Sequence, residues 1–304
     1  MAQGALVRPE TERIYRERIL RVLVHIQNHL DESLPLEELA RVAHFSPFHF
    51  HRVFRGMVGE SVKEHIRRLR LERAAQHLKF GGPSILCIAL EAGYETHEAF
   101  TRAFSAAFGV SPSRFRSTKC GLPHRSAASG VHFVTGGETI DFHPPRTGDP
   151  PMDVRVETFP ARRVAFMRHV GPYREVGATW RKLIAWAAPR GLIGPGTLAL
   201  GVAHDDLDVT PPDKLRYDAC ITVGDSFLPE GEIGIQQVGG GDYAITTHHG
   251  PYETLGQTAA RLCGEWLPAS GREPRSAPVL GILRNFPPDT RPEDLLTDVF
   301  LPLE

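Results

Sequence analysis

The sequence is short of cysteine, of long apolar runs and of net charge, and each shortage excludes something. Four cysteines in 304 residues (Cys87, Cys120, Cys220, Cys263) are scattered without a C-x-x-C pair. A disulfide framework or cysteine-based metal knuckle is therefore not expected, and the thiols read as reduced. No apolar run approaches the roughly 18 residues that cross a bilayer. The N-terminus shows no basic segment followed by an apolar core and a small-residue cleavage site, so a cytoplasmic location without a membrane partner is expected. The formal net charge is only -1, which taken alone argues against nucleic acid.

The distribution of charge says otherwise. Residues 1–120 carry 18 Lys/Arg against 13 Asp/Glu, and residues 121–304 carry 17 against 23. A basic half joined to an acidic half suggests two jobs, and the length suits two domains. In the basic half, Ile19, Leu23, Ile26 and Leu30 recur at helical spacing. A short helix is expected over 36–43, a tight turn at His44-Phe45, and then a helix opened by Ser46 and Pro47. In that helix Phe50, Val53 and Phe54 form one stripe, and Phe48, His49, His51, Arg52 and Arg55 fall largely outside it. These are the ingredients of a helix-turn-helix whose second helix offers donors to base edges and phosphates; a His/Arg-rich surface helix is the bland alternative. A long basic helix is expected over 61–80. The layout then repeats: Ile85, Ile88 and Ala89, a turn at Gly93, and a second reading helix with Phe100, Ala103 and Phe104 inward.

Residues 15–118 resemble the DNA-binding domain of the AraC/XylS family. The resemblance rests on 36–43 with Phe45-Ser46-Pro47, on Ile66-Arg67-Arg68-Leu69-Arg70-Leu71-Glu72-Arg73-Ala74, and on Ile88-Ala89-Leu90 with Gly93-Tyr94-Glu95. It continues through Phe100-Thr101-Arg102-Ala103-Phe104 to Phe108-Gly109-Val110-Ser111-Pro112. It implies double-stranded promoter DNA as partner, with base contacts at Phe48, His51 and Arg52, beside His49, and at His97, Glu98 and Arg102. His44 stands where the family usually has glycine, so a positive φ is expected there. Cys87 stands where the family often has an acid and is expected to serve packing.

Residues 119–152 are dense in Gly and Pro and read as a linker, with 130–143 a candidate strand or hairpin packed on either side of it. The acidic half then repeats itself. His169-Val170-Gly171-Pro172-Tyr173 returns as His248-His249-Gly250-Pro251-Tyr252, each after an apolar strand and before an amphipathic helix, and Tyr217-Asp218-Ala219-Cys220-Ile221 corresponds to Thr297-Asp298-Val299-Phe300-Leu301. Two β-β-α-β-β halves related by a pseudo-twofold are expected. Strand alternation puts Val299, Leu301 and Leu303 on the helix side, as it does Ala219, Ile221 and Val223. Asp298, Phe300, Asp218 and Cys220 then face the other way. Carboxylates beside aromatic rings suit an organic cation; structural ion pairs are the alternative. For His169 and His248 a structural bond to backbone or helix end is expected in preference to catalysis or metal binding.

Residues 153–303 resemble the GyrI-like effector-binding domain, on both Gly-Pro-Tyr motifs, Arg216-Tyr217-Asp218 and the closing Asp298-Val299-Phe300-Leu301-Pro302-Leu303. The family usually carries Glu at the position of Asp298. The fold class is therefore multidomain α plus α+β: an all-helical double helix-turn-helix over 1–118, a linker over 119–152 and a tandem β-β-α-β-β domain over 153–304. The function expected is a transcriptional regulator whose second domain senses a small hydrophobic or cationic molecule through Asp298, Phe300, Asp218, Tyr173, Tyr252 and Trp180. RNA polymerase is a candidate further partner, and neither cofactor nor metal is expected. A DNA-tethered hydrolase using Asp298 or Asp218, and a regulator whose second domain only contacts proteins, are the alternatives.

Overall fold

In the computed structural model, which describes residues 9–118, 127–135, 142–145, 150–205 and 210–304 (the side chains of Pro9, Pro47 and Phe48 excepted), the basic half is all helix. Helix α1 (Pro9–Asn28) turns Tyr15, Ile19, Val22, Leu23 and Ile26 inward at i, i+3, i+4 spacing. Helix α2 (Leu36–Ala43) ends at His44, whose φ of 54° is the one positive φ at a non-glycine among the described residues. The Phe45 N–H then reaches back to the Ala40 carbonyl, closing the turn into α3 (Pro47–Val58). His44 thus does what Gly93 (φ 81°) does in the second helix-turn-helix, where the Tyr94 N–H reaches the Ala89 carbonyl. Helix α4 (Val62–Lys79) opens with a capping box, Ser61 and Glu64 satisfying each other's backbone N–H. Helices α5 (Ile85–Glu91), α6 (His97–Phe108) and α7 (Pro112–Ser117) follow. A core of Leu71, Ala75, Leu78, Ile88, Phe100, Phe104 and Phe115 binds α4 to them. Cys87 is exposed beside the capping hydroxyl of Ser84 and takes no part in that core, contrary to the packing role expected of it.

Tertiary contacts divide the chain into a unit built from residues 13–147 and one built mainly from 148–304. Where the expected linker is described, it does not run free. Ser129, Val131 and Phe142 are buried, and residues 127–135 and 142–145 lie in the first unit. No strand is assigned there, although the His143 N–H bonds to the Ser129 carbonyl.

The second unit is an antiparallel eight-stranded sheet of two β-β-α-β-β halves. The first holds β1 (Arg155–Thr158), β2 (Arg162–Val170), α8 (Val176–Ala187), β3 (Ala199–Ala203) and β4 (Arg216–Thr222). The second holds β5 (Gly234–Val238), β6 (Asp242–His249), α9 (Leu255–Arg261), β7 (Val279–Leu283) and β8 (Leu296–Pro302). Helix α9 runs through a π-helical turn (Leu262–Trp266) into α10 (Leu267–Ser270). The order is β1-β6-β8-β7-β3-β4-β2-β5, so each half lends its first strand to the other: β1 pairs with β6, and β5 with β2. The halves meet at β3 and β7, where Gly201 lies opposite Gly281 on the pseudo-twofold.

The expected faces hold. Ala165, Ala219 and Ile221 pack with Leu183 and Ala187 of α8. Cys220 and Phe300 belong to a separate core on the opposite face, with Leu200, Val202, Leu280, Ile282, Tyr243 and Ile245. No helix among the described residues is long and apolar enough to cross a membrane.

Candidate functional site

The reading helices share one frame. Ser46 to Gly59 and Thr96 to Gly109 are each a hydroxyl residue at the N-cap, twelve helical residues and a left-handed glycine. Arg52 and Arg102 hold the same place in it, as do Phe50 and Phe100, and Phe54 and Phe104. In α6, His97, Glu98 and Arg102 are exposed while Phe100 and Phe104 are fully buried, so the expected set shares one open face. In α3 the expected set divides. Arg52 is half-buried and Arg55 exposed, whereas His49 and His51 are 3% and 2% exposed. Both flank the Phe50–Val53–Phe54 stripe, one position to either side of Phe50, so the buried side of α3 is wider than the stripe. The expectation that they present to a groove is corrected accordingly. The Phe48 side chain lies outside the described residues.

In the second unit the residues expected to form one site divide between the faces of the sheet, with Asp218, Asp298 and Phe300 on one and Trp180 and Tyr173 on the other. Asp218 (β4) is fully buried on the face away from the helices. Its oxygens accept from Arg168 Nε at 2.7 Å and Nη2 at 2.8 Å, and from Gln236 Nε2 at 3.0 Å, with His204 Nε2 at 2.7 Å. Burial pushes its pKa up, but the bonds from Arg168 and His204 outweigh burial and hold it well below the usual carboxylate range. Asp298 (β8) holds the matching place in the second half. It accepts from Thr247 Oγ1 at 2.7 Å, Arg284 Nε at 2.8 Å and Arg155 Nη2 at 3.0 Å, and against burial its pKa is again lowered. Each carboxylate is thus saturated by donors, which supports the ion-pair alternative over a bare anion awaiting a cation. Sequence spacing gave the face of these residues but no sign of Arg155 or Arg284, which reach Asp298 from β1 and from just past the end of β7. Phe300 packs in the same core, against Phe159 and Tyr243.

The helix-bearing face carries the rings. Helix α8 covers β2 and β4, and α9 packs on β8, leaving β3 and β7 as a floor of small residues: Ala199, Gly201 and Ala203 beside Gly281. Tyr217 lies over Gly201 so closely that a Cβ there would meet its hydroxyl at 1.9 Å. That hydroxyl accepts from Trp180 Nε1 at 3.3 Å, Tyr173 packs edge-on against the ring at 5.8 Å, and burial raises its pKa, with smaller contributions from Tyr252 and Tyr173. The second half differs at the matching places: Thr297 replaces Tyr217 and Ala259 replaces Trp180. Thr297 is 2% exposed, and its Oγ1 has no hydrogen-bond partner among the described residues. Sequence reasoning did not single out Tyr217 or Thr297, although the repeat alignment paired them.

His169 and His248 are structural, as expected. Each imidazole bridges a helix threonine (Thr179 at 3.2 Å, Thr258 at 2.8 Å) and the carbonyl of its Gly-Pro turn (Pro172, Pro251, both 3.2 Å).

Residues 152–304 match the family model of the GyrI-like small molecule binding domain, and residues 39–118 match a helix-turn-helix domain model. The chain is 32% identical over 155 residues to the probable transcriptional regulator YgiV of Escherichia coli (strain K12), covering 50% of this chain and 96% of that protein. It is 34% identical over 103 residues to the HTH-type transcriptional activator AarP of Providencia stuartii, covering 34% of this chain and 76% of that one. Among solved structures, the EcmrR C-terminal domain is similar at 18% identity and a TM-score of 0.40, over 50% of this chain and 98% of that one. With an AraC-type helix-turn-helix region followed by the domain matched over residues 152–304, the chain belongs to the GyrI-like small-molecule-binding family and is a DNA-binding transcriptional regulator.

Proposed function

We propose that the effector site of this regulator is the groove on the helix-bearing face between α8 and α9, and that its ligand is a planar, largely apolar molecule rather than one held by Asp298 or Asp218. The observation that carries this reading is the contrast at equivalent positions. Both carboxylates are occupied by arginines on the far face, while Thr297 offers an unpartnered buried hydroxyl on the groove face. Tyr217, Trp180 and Tyr173 wall the groove on the α8 side, and on the α9 side Tyr252 stands at the head of the helix while the smaller Thr297 and Ala259 leave room. Apolar surface supplies most of the binding free energy in such sites, and a few placed polar groups supply orientation. Among the described residues the groove in this reading holds no activated nucleophile or free general base, which supports sensing over hydrolysis. A cytoplasmic regulator acting on promoter DNA, with RNA polymerase as a further contact, fits the two units.

Titration with the neutral dye N-phenyl-1-naphthylamine and with a quaternary ammonium of similar size, followed by Trp180 fluorescence, tests the reading. The neutral dye should bind more tightly, Tyr217→Leu and Thr297→Val should weaken it, and Asp298→Asn should leave its affinity within about twofold, well under the tenfold of one lost strong contact. Loss of binding in Asp298→Asn with Thr297→Val unaffected would return the site to the carboxylate face.

A further inference from the structure

The Gly/Pro-rich segment after the helix-turn-helix region has a built seat. Gln27 of α1 grips two of its peptide groups, donating Nε2 to the His132 carbonyl at 2.7 Å and accepting the Val134 N–H at 3.3 Å. Glu72 of α4 accepts the Phe133 N–H at 2.8 Å. Arg68, itself 5% exposed, donates to the Val131 carbonyl at 2.9 Å. Gln76 meets Thr135 at 2.8 Å, and Arg16 reaches the Phe142 carbonyl at 2.7 Å. Val131 and Phe142 are 1% and 2% exposed. A segment that only spaced two domains would keep its backbone hydrated; this one has its peptide groups read by side chains of two helices.

The seat continues into α3. Arg68 donates to Glu60 at 3.1 Å and to Glu72 at 2.9 Å, and Glu60 accepts from His65 Nδ1 at 2.7 Å. Because the carboxylate can only accept, the imidazole proton sits on Nδ1. The His65 ring stands edge-on to Phe54 of α3 at 5.6 Å. At the end of the same helix, a Cβ on Gly59 would meet the Ala128 methyl at 2.7 Å and Pro145 at 3.2 Å. The contacts named fall on the end of α3, the second helix of the first helix-turn-helix, and on α1 and α4, the helices that flank that motif in the chain. Helix α6 is instead held by the aromatic cluster of Phe100, Phe104, Phe108 and Phe115.

We propose that residues 127–135 and 142–145 are a brace of the first helix-turn-helix, with Gln27, Arg68 and Glu72 as positioning residues for α3, so that seating of these residues sets how the first half-site is read while the second is read without it. The proposal goes beyond the effector-site reading and does not depend on it. The working DNA-binding unit then extends past residue 118 into the segment that leads to the effector domain, and a change of state there reaches α3 along the chain itself.

The test uses the full chain and a duplex selected by it from a random pool. Loss of base discrimination in Arg52→Ala and in Arg102→Ala assigns the half-sites of α3 and α6. The double variant Gln27→Leu/Gln76→Leu removes brace contacts from half-exposed positions without emptying the core. Hydrogen exchange at Phe133 and Val134 reports release of the segment; if they stay protected, Val131→Asp, which drives a charge into the seat, replaces it. With the fold intact by circular dichroism, release should weaken discrimination at the α3 half-site by about tenfold, the scale of one lost specific contact, and leave the α6 half-site unchanged. Release with equal loss at both half-sites, or with no loss at either, overturns the proposal.

Discussion

Helices α3 and α6 are two copies of one frame in two settings. Both start at a hydroxyl residue, bury two phenylalanines four apart, carry an arginine at the same position and stop at a left-handed glycine. Yet α6 leaves His97, Glu98 and Arg102 open to solvent, while α3 has His49 and His51 buried and its terminal glycine pressed by Ala128. The frame fixes which residues can share the open face of each helix. The neighbours decide which of them stay exposed, and how firmly the helix is held. The first helix-turn-helix is braced through a buried polar network and the second through an aromatic cluster.

The largest expected effect comes from breaking that network. Arg68→Leu leaves Glu60 and Glu72 without their shared partner and should destabilise the first unit by about 3–5 kcal/mol, the cost of orphaning buried charge, seen as a separate, earlier melting step. The same network makes the first unit sensitive to acid. Burial and its setting lower the His65 pKa below 6.5, so the unfolded chain takes up that proton first. Glu60, pushed up by burial but pulled down further by His65 and Arg68, is lowered from 4.5 to about 2. Both shifts give the unfolded state more protons, so stability rises with pH. The His65 contribution is complete above pH 6.5 and is lost as pH falls below it. The Glu60 contribution is complete above 4.5 and is lost as pH falls toward about 2. Denaturant titrations from pH 7 to 3 should show the first unit weakening; a flat profile would mean that the network is not formed in solution.

Next in size is DNA reading. Arg102→Ala should cost about 1–3 kcal/mol of specific affinity and relax discrimination at one half-site, and Arg52→Ala the same at the other. An effect confined to Arg102 would show that burial around α3 removes it from reading altogether. The smallest contrast is at the caps. Thr96 Oγ1 accepts the Ala99 N–H at 3.1 Å, whereas Ser46 makes no side-chain cap bond. Thr96→Ala should therefore lower stability by about 1 kcal/mol and Ser46→Ala by much less, both read from thermal melts.

Much of this was legible in the chain. Helical spacing and caps placed α2 and α4 within a residue and the starts of α3 and α6, whose ends at Val58 and Phe108 lie three and four residues past Arg55 and Phe104. The left-handed turn at His44 was implied by the family resemblance. The doubled His-x-Gly-Pro-Tyr motif gave the tandem repeat, and period-two alternation gave the correct face to Asp218 and Asp298. These signals are local, because the backbone period and the turn chemistry are written within a few residues. The partners were not legible. Arg155 lies 143 positions from Asp298 and Arg168 lies 50 from Asp218, and no spacing rule connects them.

By itself, then, the sequence determined the elements, the two repeats, the reading frame of both helices and the family. The tertiary structure alone decided that the carboxylates are spoken for, that the rings stand on the other face over facing glycines, and that a segment with the composition of a linker is seated on the first unit. The physical reason is the same in each case. Local conformation follows from near neighbours in sequence, whereas the occupancy of a charge, a hydroxyl or a peptide group depends on whichever distant residues packing brings within hydrogen-bond reach.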